Sequence, residues 1–373
     1  MSDERGPPKK KLPHNDWTLE AGPLQAVLLD DEVSEIMVNG PHSIFLERNG
    51  VIERSDVHFS SREELNKVAA ALVRSVGKEI SRKFPYADLR MPDGSRANVI
   101  VAPVAVDGPV ITIRKAQTRM LDLRNLVKAD LFDEKVLYFL NVCVASRLNI
   151  IVSGGTGAGK TTLLNSLIGL IPNSERIVTI EDTLELVLRQ ENVVRLEARG
   201  ESTYDEGIET KSLVRNALRM RPDRIIVGET RGGETWDMLQ AMNSGHEGSM
   251  TAIHANSAAG ALHKLEAFIL VQENGISSLI VRQHLSDILN MVIHVERDSK
   301  GHRHISEICE ITGLVNGHVE TKTLFKRTED QGIKSCGIIP KFVERPRGRT
   351  IPTFPPNFFD PKKTIVLEGF DKK

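Results

Sequence analysis

Cysteine, aromatic residues, an excess of either charge and long apolar runs are all scarce in this chain. Its three cysteines, Cys143, Cys309 and Cys336, lie far apart. Without a CxxC pair a zinc site has no support, and the sparse, odd count fits a reducing cytosol. Lys and Arg total 49 against 50 Asp and Glu, a formal net charge of −1. The basic excess that marks a whole-chain nucleic-acid binder is therefore missing. Phe, Tyr and Trp make up 5% of residues, too few for the basic–aromatic interleaving on which single strands stack. No apolar run reaches the ~18 residues needed to cross a bilayer. The opening MSDERGPPKKK has no apolar signal core behind it. Membrane association then has to come through partners or surface contact. What is present is a globular composition, 40% hydrophobic and 27% charged over 373 residues. That length accommodates two domains at about 100–200 residues each.

Residues 1–18 read as a disordered leader, with Pro, Gly and Lys and little apolar content. Residues 19–115 carry short strand-like runs with turn punctuation. SEIMVNGP ends in a turn signal, and SIFLERNGVIER predicts a hairpin across Asn49-Gly50. SSREELNKVAAALVRSVG predicts an amphipathic helix with Ser60 or Ser61 as N-cap, Glu64 in a capping box and Gly77 past its end. This is a small α+β domain. Residues 116–130 read as a connector. From Leu148 to about Val295 apolar strands alternate with helices, which implies a parallel sheet with crossover helices within a second domain spanning 131–345. Short β runs follow His302, and 346–373 is a Pro-rich, charged tail.

LNIIVSGGTGAGKTTLLNSLIGL is the strongest signal. An apolar strand leads into Gly154–Thr161, which fits GxxxxGK[ST], and a helix pattern follows. Strand, loop and helix together are the context the motif requires. The glycines let backbone N–H groups turn inward as an anion cradle, and the helix N-terminus adds its dipole. Gly155, Thr156, Gly157, Ala158, Gly159, Lys160, Thr161 and Thr162 are thus the predicted ligands of ATP or ADP. Lys160 reaches the β- and γ-phosphates and Thr161 ligates Mg²⁺.

Carboxylates stand at the ends of the following apolar strands. RIVTIEDTLEL places Glu181, Asp182 and Glu185 there, suited to Mg²⁺, its waters or the attacking water. PDRIIVGETRGGE is the predicted Walker B strand, ending in Gly228-Glu229 rather than Asp. Glu229 is then the acidic group facing the nucleotide, as base, metal ligand or both. NSGHEGSMTAIHANS supplies His246 and His254. The strand Met250–Ile253 would bring His254 to the γ-phosphate as a sensor or relay. Predicted catalytic residues are therefore Glu229, Glu185, His254, His246 and Lys160; predicted metal ligands are Thr161, Glu181, Asp182 and Glu229.

These blocks, in this order, resemble the type II/type IV secretion ATPases, hexameric traffic motors. GPLQAVLLDDEVSEIMVNGP and GSRANVIVAPVAVDGPVITIRK are most similar to the CpaF-like motors of tight-adherence (Flp-type) pili. The resemblance spans about Leu19 to Phe342. It implies a PAS-like N-terminal domain and a RecA-like P-loop core, a mostly parallel sheet with helices on both faces. It further implies a homo-hexamer working in the cytoplasm, peripheral to the inner membrane. The implied partners are inner-membrane platform proteins and, through them, a pilin or secreted protein. By resemblance, Arg96 and Arg114 reach nucleotide phosphate, so that ATP is clamped between the two domains. Arg195, Arg215, Arg219 and Arg231 are weaker matches for phosphate or intersubunit contacts. Thr230 departs from the small aliphatic residue usual after the glutamate. The paired-CxxC insert of many type II and pilus-extension ATPases is absent, as is the AIRNLIRE-like signature of retraction ATPases. A conjugative type IV secretion ATPase is the alternative within the family. A nucleic-acid translocase or a nucleotide-gated scaffold is the alternative outside it, and no nucleic-acid partner is expected.

Overall fold

The computed structural model describes residues 17–48, 50–116, 123–199, 207–273, 275–298, 301–328, 332–344 and 353–363. Most of the predicted leader, part of the connector, Asn49 of the hairpin turn and most of the tail lie outside them. The chain divides into two compact units, Met1–Thr118 and Arg119–Lys373.

The first unit opens with a 3-10 helix, Trp17–Leu24, and α1 (Gln25–Leu28). Strands β1 (Val33–Asn39), β2 (Ile44–Arg48) and β3 (Val51–Arg54) follow, then helix α2 (Arg62–Ser75). Strands β4 (Tyr86–Arg90), β5 (Arg96–Ile100) and β6 (Val110–Arg114) complete an antiparallel sheet ordered β3-β2-β1-β6-β5-β4. Alternation decides its faces. Ile36, Val38, Val99, Ile111 and Ile113 are buried with Leu65, Ala69 and Leu72 of α2. The capping signal acts as read: Ser61 Oγ accepts from Glu64 N, and Glu64 Oε2 accepts from Ser60 N. Residues between the buried ones project from the opposite face. There the register sets Arg90 against Arg96, Arg96 against Arg114, and Arg114 against Glu35.

The second unit begins with α3 (Leu123–Lys128) and α4 (Glu134–Ala145). Then come β7 (Ile150–Gly154), α5 (Lys160–Ile168), β8 (Ile177–Glu181), β9 (Val193–Glu197), α6 (Thr210–Ala217), β10 (Arg224–Val227) and α7 (Glu234–Asn243). They are followed by β11 (Met250–His254), α8 (Ala258–Gln272), α9 (Ser278–Ile288) and β12 (Met291–Arg297). The chain then turns antiparallel in β13 (Arg303–Val315), β14 (His318–Thr328) and β15 (Gly332–Ser335), before α10 (Lys341–Glu344). The sheet order is β15-β14-β13-β12-β7-β11-β10-β8-β9. Its six strands from β12 to β9 are parallel. The inner strands β7, β11, β10 and β8 are buried almost along their whole length because both faces are covered, as a parallel sheet demands. Ile150 and Val152 of β7 join one core with α4 and α5, while Ile151 joins the other with α7, α8 and α9.

Two features depart from the sequence reading. The region after His302 forms two long strands, not short runs. Residues 353–363, assigned to a tail, return to the core: Phe358 is buried and Tyr138 Oη donates to Thr353 O. No helix among the described residues is long and apolar enough to cross a membrane.

Candidate functional site

In a parallel sheet the loops at the carboxyl ends of the strands converge, and β7, β11, β10 and β8 are neighbours here. The loop after β7 turns at Gly157 and Gly159, at φ of 70° and 98°, and delivers Lys160 to the start of α5. Positive φ at both positions is a conformation glycine adopts without steric cost. Gly154 has a further reason: a Cβ there would lie 2.5 Å from the carbonyl oxygen of Val295.

Lys160 is 8% exposed and its Nζ donates to Gly155 O at 2.9 Å. The same ammonium lies 3.2 Å from His254 Nδ1 at the end of β11. His254 Nε2 is 3.0 Å from Glu229 Oε1, just beyond β10. Burial and the Lys160 charge hold the imidazole below the ordinary histidine range, against the pull of Glu229. The Lys160 ammonium is about equally far from both ring nitrogens, 3.2 Å from Nδ1 and 3.3 Å from Nε2, so it faces the imidazole as a whole. The other Glu229 oxygen accepts from Arg231 at 2.6 Å, and Arg231 also reaches Asp182 at 3.3 Å. A chain of polar groups thus runs from the phosphate loop to the strand-end carboxylates. Its elements are a cation, an imidazole and a carboxylate whose two oxygens have different neighbours.

The loop that carries these groups is braced. Glu234 Oε1 accepts from the backbone N–H groups of Arg231 and Gly232. Thr230 is buried, and both its N–H and its hydroxyl donate to Ala252 O of β11. The hydroxyl that looked like a departure therefore ties β10 to β11. Glu234 carried no sequence signal beyond its place in a Gly-rich block.

Glu181, Asp182 and Glu229, three of the predicted metal ligands, differ in their surroundings. Among the described residues no three His, Cys, Asp or Glu side chains gather to hold a metal ion. Glu181 is 3% exposed and its Oε2 accepts from the N–H groups of Glu185 and Leu186. Burial raises its pKa above the ordinary carboxylate value. It shapes the loop after β8. Asp182 is engaged by Thr210 and Arg231. A Mg²⁺ ion would find oxygen donors in the Thr161 hydroxyl and in the Glu181, Asp182 and Glu229 carboxylates, with phosphate and water completing its shell, as that ion prefers.

The other predicted residues separate. Gly155–Thr162 form the loop and first helical turn as read. Glu185 lies in the loop that Glu181 holds, within electrostatic reach of Arg231. His246 is not at this site. It precedes β11 at the amino end of the sheet, bonded to Ala241 O, with the whole strand, about 13 Å by its rise, between it and His254. Arg195 donates to Leu186 O, Arg215 pairs with Asp237 and Arg219 donates to Arg215 O. Of those four arginines only Arg231 joins the chain of polar groups. Arg96 and Arg114 are cross-strand neighbours in the first unit.

On the β12 side of the loop is a cleft of about 1190 Å³, lined by Gly155, Thr156 and Ala158 and by Arg297, Arg303 and His304. Beneath it Ser153 Oγ meets His294 Nδ1 at 2.8 Å, both groups buried. Neither the cleft nor this pair was legible as a spacing pattern.

The family model described as type II/IV secretion system protein matches residues 18–336. The conjugal transfer protein TrbB of Rhizobium radiobacter is 33% identical over 313 residues, covering 82% of this chain and 93% of the relative. Protein VirB11 of Agrobacterium fabrum is 31% identical over 317 residues, covering 78% and 91%. The crystal structure of the Yersinia pseudotuberculosis ATPase DotB is 16% identical with a TM-score of 0.57, covering 81% of this chain and 82% of that one. It shares the fold. The chain belongs to the type II/IV secretion system protein family.

Proposed function

We propose that this chain binds ATP–Mg²⁺ on Gly154–Thr162 and hydrolyses it to drive transport through a secretion apparatus. It is an ATPase of the secretion family. The observation that carries this reading is the convergence of Lys160, His254 and Glu229 at the ends of three neighbouring strands. Lys160 neutralises phosphate charge. Glu229 orients and deprotonates the attacking water. His254, held neutral between them, passes the state of one to the other. Mg²⁺, on Thr161 and Glu229, supplies charge neutralisation of the phosphates when bound. Arg96 and Arg114, cross-strand neighbours in the first unit, offer planar donor forks of the kind that suits phosphate.

The relatives TrbB and VirB11 support the conjugative type IV branch as the transport system. The tight-adherence pilus motor is the second reading, carried by the sequence blocks of the first unit. In both, the working form is a homo-hexamer recruited to the membrane by platform proteins.

The test is phosphate release by purified protein, with and without single-stranded DNA. Wild type turns over at a rate DNA leaves unchanged. Glu229→Gln retains nucleotide binding and loses about 10²–10⁴-fold in turnover. Turnover that depends on DNA would replace the transport reading with a translocase, and full activity in Glu229→Gln would move the base to Glu185.

A further inference from the structure

The β12–β13 hairpin touches the phosphate loop at three of its glycines. Val295 O abuts Gly154. Arg297 Nη1 lies 3.7 Å from where a Cβ on Gly157 would stand, and Arg303 Cδ lies 3.2 Å from a Cβ on Gly159. Arg303 Nε also donates to Gly157 O at 3.0 Å, across 146 residues of sequence. Arg297 and Arg303 face each other across the hairpin. The turn between them is fixed by Asp298, which accepts from His302 N and pairs with His302 Nδ1.

A trans peptide points its C=O and its N–H in opposite directions. With the Gly157 carbonyl turned outward to Arg303, the Ala158 N–H is turned into the loop. There it faces Gly155 O at 3.4 Å, long for an amide hydrogen bond. The concave side thus presents a donor that is poorly satisfied within the loop and well placed for an anion oxygen. A flip of this peptide turns on ψ of residue 157 and φ of residue 158, and glycine at 157 leaves the first of these unrestricted by a side chain. A guanidinium on the outer face is what selects one orientation.

We propose that Arg303, with Arg297 beside it, is a positioning residue that presets the phosphate loop for anion binding. It acts through the Gly157–Ala158 peptide and not on the reacting phosphate. The proposal rests on the reading of this loop as a nucleotide site. Phosphate affinity is then partly set by a hairpin at the far end of the sequence. Movement of that hairpin would alter nucleotide affinity with no change at Lys160 or Glu229.

The test uses Arg303→Met, which keeps methylene cover over Gly159 and loses the donor. Affinity for a fluorescent ADP analogue, KM and kcat for ATP, and thermal midpoint are measured on the full chain. The expected result is about tenfold weaker ADP binding and a similar rise in KM, the equivalent of one charge-assisted hydrogen bond. Turnover at saturating ATP stays within about twofold, as for an interaction made equally in ground and transition states. Unchanged affinity would overturn the proposal, whether or not the thermal midpoint falls. So would a loss confined to kcat, which would put Arg303 on the transferring phosphate. Failure of the wild-type chain to bind the ADP analogue would instead overturn the nucleotide reading itself.

Discussion

His294 shows how a single buried residue ties the phosphate loop to the rest of the sheet. It pairs in register with Ser153, the residue before Gly154, and its Nε2 is 3.4 Å from Glu296. Burial pushes its imidazole below the ordinary histidine range; Glu296 and Glu307 favour the cation and Lys160 opposes it. The unfolded chain protonates this side chain near pH 6.5, before the folded chain does. Unfolding therefore takes up a proton as pH falls, so stability is full above about pH 6.5 and declines below it toward the folded value. Replacing His294 with Gln, which keeps polar groups at the site, should flatten the stability profile between about pH 7 and pH 5, measured by urea unfolding. Parallel profiles for the two proteins would remove His294 from the account. At this scale Lys160, Thr161, Glu229 and His254 were legible because their chemistry comes with fixed spacing from a strand end. Glu234, His294 and Arg303 were not, because a lone polar residue has no pattern until its partner is known.

Among the elements, the segment 353–363 is the clearest addition. Phe354, Phe358 and Phe359 pack against one another in tilted and edge-to-face pairs and reach Tyr138 and Phe139 of α4 and Phe325 of β14. Lys135 lies over the Phe358 ring, and Ser335 Oγ donates to Phe359 O. A strap of this kind closes the apolar edge left where α4 meets the antiparallel strands. Phe358 is 1% exposed, so Phe358→Ala removes a full aromatic side chain from this cluster. It should destabilise the protein by about 3 kcal/mol, read from the midpoint of denaturant unfolding. A shift below about 0.5 kcal/mol, the size of a surface effect, would mean the strap does not dock in solution. The sequence concealed this because proline and charge dominate the composition there, while three phenylalanines supply the contact. The opposite holds for α2. Its capping residues and apolar stripe all point one way, and the helix forms where they place it.

For the whole molecule, the two units have separate cores, one built of residues from Trp17 to Ile113 and the other of residues from Leu126 onward. A domain with its own core folds alone. Residues 17–116 expressed by themselves should therefore melt cooperatively by circular dichroism, and a broad transition without a baseline would show that this unit needs the rest of the chain. The sequence by itself determined the local and the periodic: the phosphate loop, the strand-end carboxylates, the parallel core and the α+β domain before it. Those follow from contacts within a few residues and from the alternation of apolar positions, which any reader of the chain can count. Only the tertiary structure decided that Glu181 braces the loop after β8 and that His246 stands at the opposite end of β11 from His254. It alone set an arginine from the β12–β13 hairpin against the carbonyl of Gly157. Those outcomes depend on strand order and register, and an open parallel sheet brings residues more than a hundred positions apart within a hydrogen bond of one another.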